Sequence, residues 1–192
     1  MEQIDAIFFI GPQGSGKGTQ AKQLAQKLGF FYWEMSGVIR EAANSGTPKG
    51  EHYLDLIKNG ILLTDEDIIE ISKDKLVTIP VTKGIIFDAI PRRMGQAKYI
   101  IQVMQERGQK ALVTLFIDLP KEDSVDRLMH RAETEHRVDD TKEKIEVRLE
   151  QYYTDTLPIL DTMKQSTRFI TIDGRPEIKE VVLARWPSIV NG

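Results

Sequence analysis

The segment GPQGSGKGTQ (11–20) sets four glycines around one lysine, directly after the apolar run AIFFI (6–10) and directly before AKQLAQKL (21–28), whose apolar residues recur at helical spacing. A strand, a tight glycine-rich turn and a helix in that order can cradle phosphate. Gly11, Gly14, Gly16 and Gly18 allow the backbone to turn its N–H groups inward, and the helix adds the positive end of its dipole. Lys17 supplies a mobile point charge. A solvated lysine in a surface turn would need neither flanking element. Gly18 stands where a Ser or Thr usually follows the lysine, so the customary hydroxyl ligand for Mg²⁺ is absent there, and Thr19 is the hydroxyl left to face phosphates.

Further along, charged residues gather where apolar runs end. Asp88 closes GIIFD (84–88), and its burial without a partner would be costly; water around magnesium is one partner, a turn cap the other reading. Arginines suit the gripping of phosphate because a guanidinium stays charged and can hold two oxygens at once. Arg127 and Arg93 read as solvated helix residues. His52, His130 and His136 are too scattered for a metal cluster, and the chain has no cysteine, hence no disulfide and no thiolate zinc site. A net charge of -3 gives no general attraction to nucleic acid or anionic lipid, so any anionic ligand must be held by locally placed cations.

The elements that must position these residues alternate. AIFFI (6–10), GIIFD (84–88), ALVTLFIDL (111–119) and RFITID (168–173) read as buried parallel strands, with FFYWEM (30–35) a weaker fifth, and helical spacing fills the intervals. This pattern predicts an α/β fold: a doubly wound, parallel five-stranded sheet flanked by helices, its ligands beyond the carboxyl ends of the strands. Thr64 with Asp67 predicts a helix start, Asn59-Gly60 and Gly108 predict helix ends, Asp140 with Glu143 an acidic capping pair, and Pro158 a break in a long helical stretch. At 192 residues the chain suits one core and hence one domain, 1–192. The apolar run near the N-terminus is too short to span a bilayer and is preceded by acids where a signal peptide would carry bases, which predicts a cytoplasmic protein.

The variant GxxGxGKGT resembles the phosphate loop of adenylate kinases and their nucleoside monophosphate kinase relatives. Three later segments are similar to that family in order and spacing: GILLTDEDI (60–68), FDAIPRRMGQA (87–97), and RLMHRAETEHRVDD (127–140) with Arg148, the last being like the short-lid members. The resemblance implies a P-loop kinase with a monophosphate-binding insertion at about 34–63 and a short lid at about 130–140. It implies ATP phosphates on Gly11, Gly14, Ser15, Gly16, Lys17, Gly18 and Thr19. The monophosphate would lie on Met35, Ser36, Arg40, Leu62, Asp88, Ala89, Arg92 and Gln96, with Gln96 pairing an adenine edge. Lys17, Arg92, Arg131, Arg137 and Arg148 would be catalytic. Mg²⁺ would enter with ATP, touching Asp88 only through water, and the protein would act as a monomer with no nucleic-acid or membrane partner. The family's Ser-Thr-Gly-Asp is replaced here by Glu34-Met35-Ser36-Gly37, and Ala89 and Ile90 replace a glycine and an aromatic. Those departures keep open a UMP, CMP or deoxynucleotide acceptor and, more distantly, a P-loop protein that binds ATP without catalysis.

Overall fold

Five short runs rich in Ile, Phe, Val and Leu pair as strands because each is bounded by residues that stop it. They are β1 (Ala6–Ile10), β2 (Phe31–Glu34), β3 (Ile85–Asp88), β4 (Leu112–Asp118) and β5 (Arg168–Asp173). In the computed structural model, which describes residues 4–59, 63–135, 141–175 and Trp186, all pairings are parallel and the strand order is β2-β3-β1-β4-β5. The five-stranded parallel α/β architecture expected from the apolar runs is the one observed, and the strand limits differ from the runs by one residue at most.

Both faces of the sheet are covered, which explains why β1 is apolar at every position, and β3 and β4 nearly so, instead of alternating. On one face Ala6, Phe8, Ile10, Ile85 and Phe87 pack with Ile71, Leu76, Ile100 and Met104; on the other Ile7, Phe9, Ile86 and Leu115 pack with Ala21 and Leu24. Phe8 and Phe87 stack at a centroid distance of 4.9 Å, and Trp33 tilts against Phe87 at 5.3 Å.

The helices are α1 (Lys17–Leu28), α2 (Met35–Ala43), α3 (Pro48–Lys58), α4 (Asp65–Val77), α5 (Met94–Glu106), α6 (Lys121–Glu135), α7 (Lys142–Gln151) and α8 (Leu160–Ser166). Thr64 and Asp67 form the reciprocal capping box expected of α4, Asn59 caps the end of α3, and Gly108 follows α5 at φ 78°. The start of α7 corrects the expectation of an acidic cap. Thr141, one residue later than Asp140, is the cap, because its hydroxyl accepts the Lys144 N–H; Asp140 itself lies outside the described residues. Pro158 does interrupt the helical run: a π-helical turn (Tyr152–Thr156) and a 3-10 turn (Leu157–Ile159) separate α7 from α8. α2 and α3 are tied to α4 by ion pairs of Lys75 with Glu41 (2.6 Å) and Lys49 with Glu70, and by the Tyr53 hydroxyl donating to Glu70 at 3.2 Å.

Candidate active site

The carboxyl ends of β1, β2 and β3 open into one cleft of about 1220 Å³. Its floor is the loop from β1 to α1. Gly11 has no room for a side chain, since a Cβ there would fall 2.5 Å from the Ile117 carbonyl oxygen of β4. Gly16 sits at φ 84° as the cap of α1, a left-handed conformation that a side chain would strain. Gly14, Gly16, Lys17, Gly18 and Thr19 line the cleft, whereas Ser15 is buried beneath it. Lys17 Nζ donates to the Pro12 carbonyl at 2.7 Å and to Ser15 Oγ at 3.4 Å. Desolvation pulls its ammonium from an ordinary 10.5 down to about 7, with Asp88 opposing the fall and Arg92 and Arg131 adding to it.

Asp88 ends β3 opposite Phe9 of β1 and Glu34 of β2, and is 8% exposed. Its Oδ2 accepts the Tyr32 hydroxyl at 2.8 Å. Burial, then the neighbouring Asp88 carboxylate and Glu34, hold that phenol far above its ordinary range, so it remains a donor. After Asp88 the chain turns sharply: Ala89 takes φ 66° and the Ile90–Pro91 peptide is cis.

The turn delivers Arg92 to the cleft, and a set of hydrogen bonds fixes it there. Its Nε donates to the Ala89 carbonyl (3.1 Å), its N–H to Gln96 Oε1 (2.9 Å), and its carbonyl accepts the Thr156 hydroxyl (3.0 Å). Gln96 Nε2 in turn donates to Asp65 (2.8 Å), and Arg93 bridges Asp65 (3.2 Å) and Asp155 (3.1 Å). Arg93, expected to be solvated, is therefore a brace between α4 and the π-helical turn. Gln96 is 6% exposed and has its amide engaged inside the protein.

Of the other candidates, Ser36, Ala89, Arg131 and Arg148 line the cleft with Asp88 and Arg92. Met35 is 6% exposed in the core, and Arg40 is an exposed residue of α2; neither lines the cleft. Leu62 and Arg137 lie outside the described residues. Sequence reasoning missed several lining residues, among them Tyr32, Glu34, Arg127 and Arg175. Arg127, expected to be solvated, donates from Nη2 to the Arg175 carbonyl at 2.8 Å, and the Arg175 guanidinium pairs with Asp173 at 2.8 Å. Arg175 follows the end of β5 by two residues, so the rule that ligands gather at strand ends is the signal that could have found it. Tyr32 carried no motif.

Seven cationic side chains (Lys17, Lys22, Arg92, Arg127, Arg131, Arg148 and Arg175) and two carboxylates (Glu34 and Asp88) line the cleft among the described residues. A chain of net charge -3 thus concentrates positive charge in one place, as a polyanion site requires. Among the described residues no group of three or more His, Asp or Glu could hold a metal ion, and no helix is long and apolar enough to cross a membrane.

A glycine-lined loop between the first strand and helix of a parallel sheet, facing a cluster of guanidinium groups, defines an α/β protein of the nucleotide-phosphate-binding, phosphoryl-transfer type. The family model described as adenylate kinase matches residues 9–168. Curated relatives named adenylate kinase include those of Thermus thermophilus (34% identical over 174 residues, 91% of each chain), Phocaeicola vulgatus (36% over 168 residues, 88% of this chain and 89% of the relative) and Maricaulis maris (34% over 175 residues, 91% and 93%). The chain belongs to the adenylate kinase family.

Proposed function

We infer that the protein catalyses reversible transfer of the γ-phosphoryl group of ATP to AMP, giving two ADP. Its family membership supports this, and the carrying observation is the meeting of the Gly11–Thr19 loop with a second cation set, led by Arg92, in one cleft. Phosphoryl transfer asks little covalent help of a protein and much placement of charge. In this reading Lys17 and the loop amides bind the ATP β- and γ-phosphates, Arg92 holds the acceptor phosphate, and Arg131 and Arg148 screen the negative oxygens as they approach. The bracing of Arg92 through Gln96, Asp65 and Thr156 keeps that guanidinium in register with the loop.

Magnesium fits the same cleft: Asp88 Oδ2 accepts the Tyr32 hydroxyl while Oδ1 accepts no hydrogen bond among the described residues, leaving an anionic oxygen for the hydration shell of the ion. When bound with ATP, the ion would supply charge neutralisation on the phosphate oxygens. The segments at about 34–63 and 130–140 close over the nucleotides, so that the phosphoryl group reaches the acceptor and not water. The protein works as a cytoplasmic monomer, and light scattering checks the oligomeric state.

The test is a coupled assay of diphosphate formation over AMP, CMP, UMP, GMP and deoxynucleotide acceptors. The expected outcome is AMP-dependent turnover that exceeds all others, and absence of turnover with every acceptor overturns the reading.

A further inference from the structure

Lys17 and Asp88 line the same cleft, where a free ammonium and a free carboxylate would ordinarily close into an ion pair. They do not. Lys17 points its ammonium at the Pro12 carbonyl and Ser15, while Asp88 spends Oδ2 on the Tyr32 hydroxyl at 2.8 Å. The phenol and carboxylate stand against the first turn of α1: a Cβ at Gly18 would lie 3.2 Å from Asp88 Oδ2 and 3.8 Å from the Tyr32 oxygen.

The ring that carries this hydroxyl is anchored separately. Along β2, Trp33 enters the core on one face of the sheet, and Tyr32 packs on the other against the apolar cluster beneath α1. Strand geometry therefore fixes the ring, and the ring fixes where its oxygen lies. Other charges facing Asp88 are Arg92 and Glu34, the latter beside it in the β2–β3 register. Neither is hydrogen-bonded to it.

We propose that Tyr32 is a positioning residue that holds Asp88 away from Lys17, keeping the loop lysine available to the donor phosphates. Without the phenolic donor, the Asp88 carboxylate would be free to turn toward the Lys17 ammonium across the cleft, and ATP would have to break that pair before it could bind. The acceptor site would be little affected, because Arg92 keeps its own bracing. This inference rests on the reading that ATP phosphates occupy the loop.

The experiment is calorimetric binding of ATP, with EDTA present to exclude metal ions, to the wild type and to Tyr32→Phe, Asp88→Asn and the double variant, with AMP binding measured in parallel. Phenylalanine keeps the ring in its apolar cluster, and circular dichroism checks the fold of each variant. Tyr32→Phe is expected to weaken metal-free ATP binding by about tenfold, roughly the cost of one charge-assisted hydrogen bond. It should leave AMP binding unchanged and raise the KM for ATP with kcat retained. In the Asp88→Asn background the same change should have no further effect, because Tyr32 acts only through the carboxylate. Unchanged ATP affinity in Tyr32→Phe, equal losses for ATP and AMP, or an undiminished loss in the Asp88→Asn background would each overturn the inference while leaving the kinase reading intact if the wild type still forms ADP. A wild type that binds no ATP would overturn both.

Discussion

Single side chains carry the sharpest consequences. Lys17→Met should lower kcat by about three orders of magnitude, the usual cost of losing a preorganised transition-state charge, with the fold kept. Because the Lys17 ammonium is held at about 7 by desolvation, the unfolded chain binds more protons than the folded one between about pH 7 and 10.5. The sign follows: this group weakens the fold fully below pH 7, and stability rises with pH across that window. Lys17→Met should flatten that rise, which thermal unfolding of both proteins from pH 6 to 10 measures. Polyphosphate binding restores the charge, so ATP should take up protons at pH 7.5, visible as buffer-dependent heats in calorimetry. Ala89 supplies another test. It sits at φ 66°, where a Cβ costs about 1 kcal/mol, so Ala89→Gly should raise the urea midpoint, as equilibrium denaturation of the two proteins would show.

At this scale the sequence was informative where residues follow one another and silent where they meet through space. The Gly11–Thr19 loop was legible because a local turn encodes it. Tyr32 and Arg127 were not, since their partners, Asp88 and the Arg175 carbonyl, come from other elements of the fold. Gln96 illustrates the same limit: its residue type gives donor and acceptor groups, but its bonds to the Arg92 N–H and to Asp65 depend on the turn before α5 and on α4 lying beside it.

Among the elements, the central strands were easiest to read because two-sided burial favours a nearly continuous apolar run, and charged or polar residues end it. Helix ends were nearly as clear where a cap is local. Thr64→Ala should destabilise the protein by about 1 kcal/mol through loss of the α4 capping box, as a shift of the denaturant midpoint would show. The error at α7 was one residue, because Asp140 and Thr141 are both good caps and only the reach of the hydroxyl to Lys144 separates them. The π-helical turn from Tyr152 to Thr156 had no signal beyond Pro158, although it is the turn that brings Asp155 to Arg93 and Thr156 to Arg92.

For the whole molecule, the notable property is the separation of charge: a net-acidic chain surrounds a cationic cleft. Attraction of nucleotides should therefore be strong at short range and sensitive to salt, with the KM for ATP rising several-fold between about 0.05 and 0.5 M ionic strength, a range over which screening shortens markedly. A KM indifferent to salt would contradict that assignment of the cleft. The parallel strand order was legible as a class from the alternation of elements; the particular order β2-β3-β1-β4-β5 was not, because pairing between distant runs leaves no mark in either run.

The bridge from Arg93 to Asp65 and Asp155 joins three stretches of chain that are far apart in sequence and all border the turn that presents Arg92. It behaves like the guy-line of a mast. Slackening it should let the tip sway while the base stands, so alterations well outside the pocket, along α4 or at the π-helical turn, would surface as poorer capture of the acceptor long before they surfaced as unfolding.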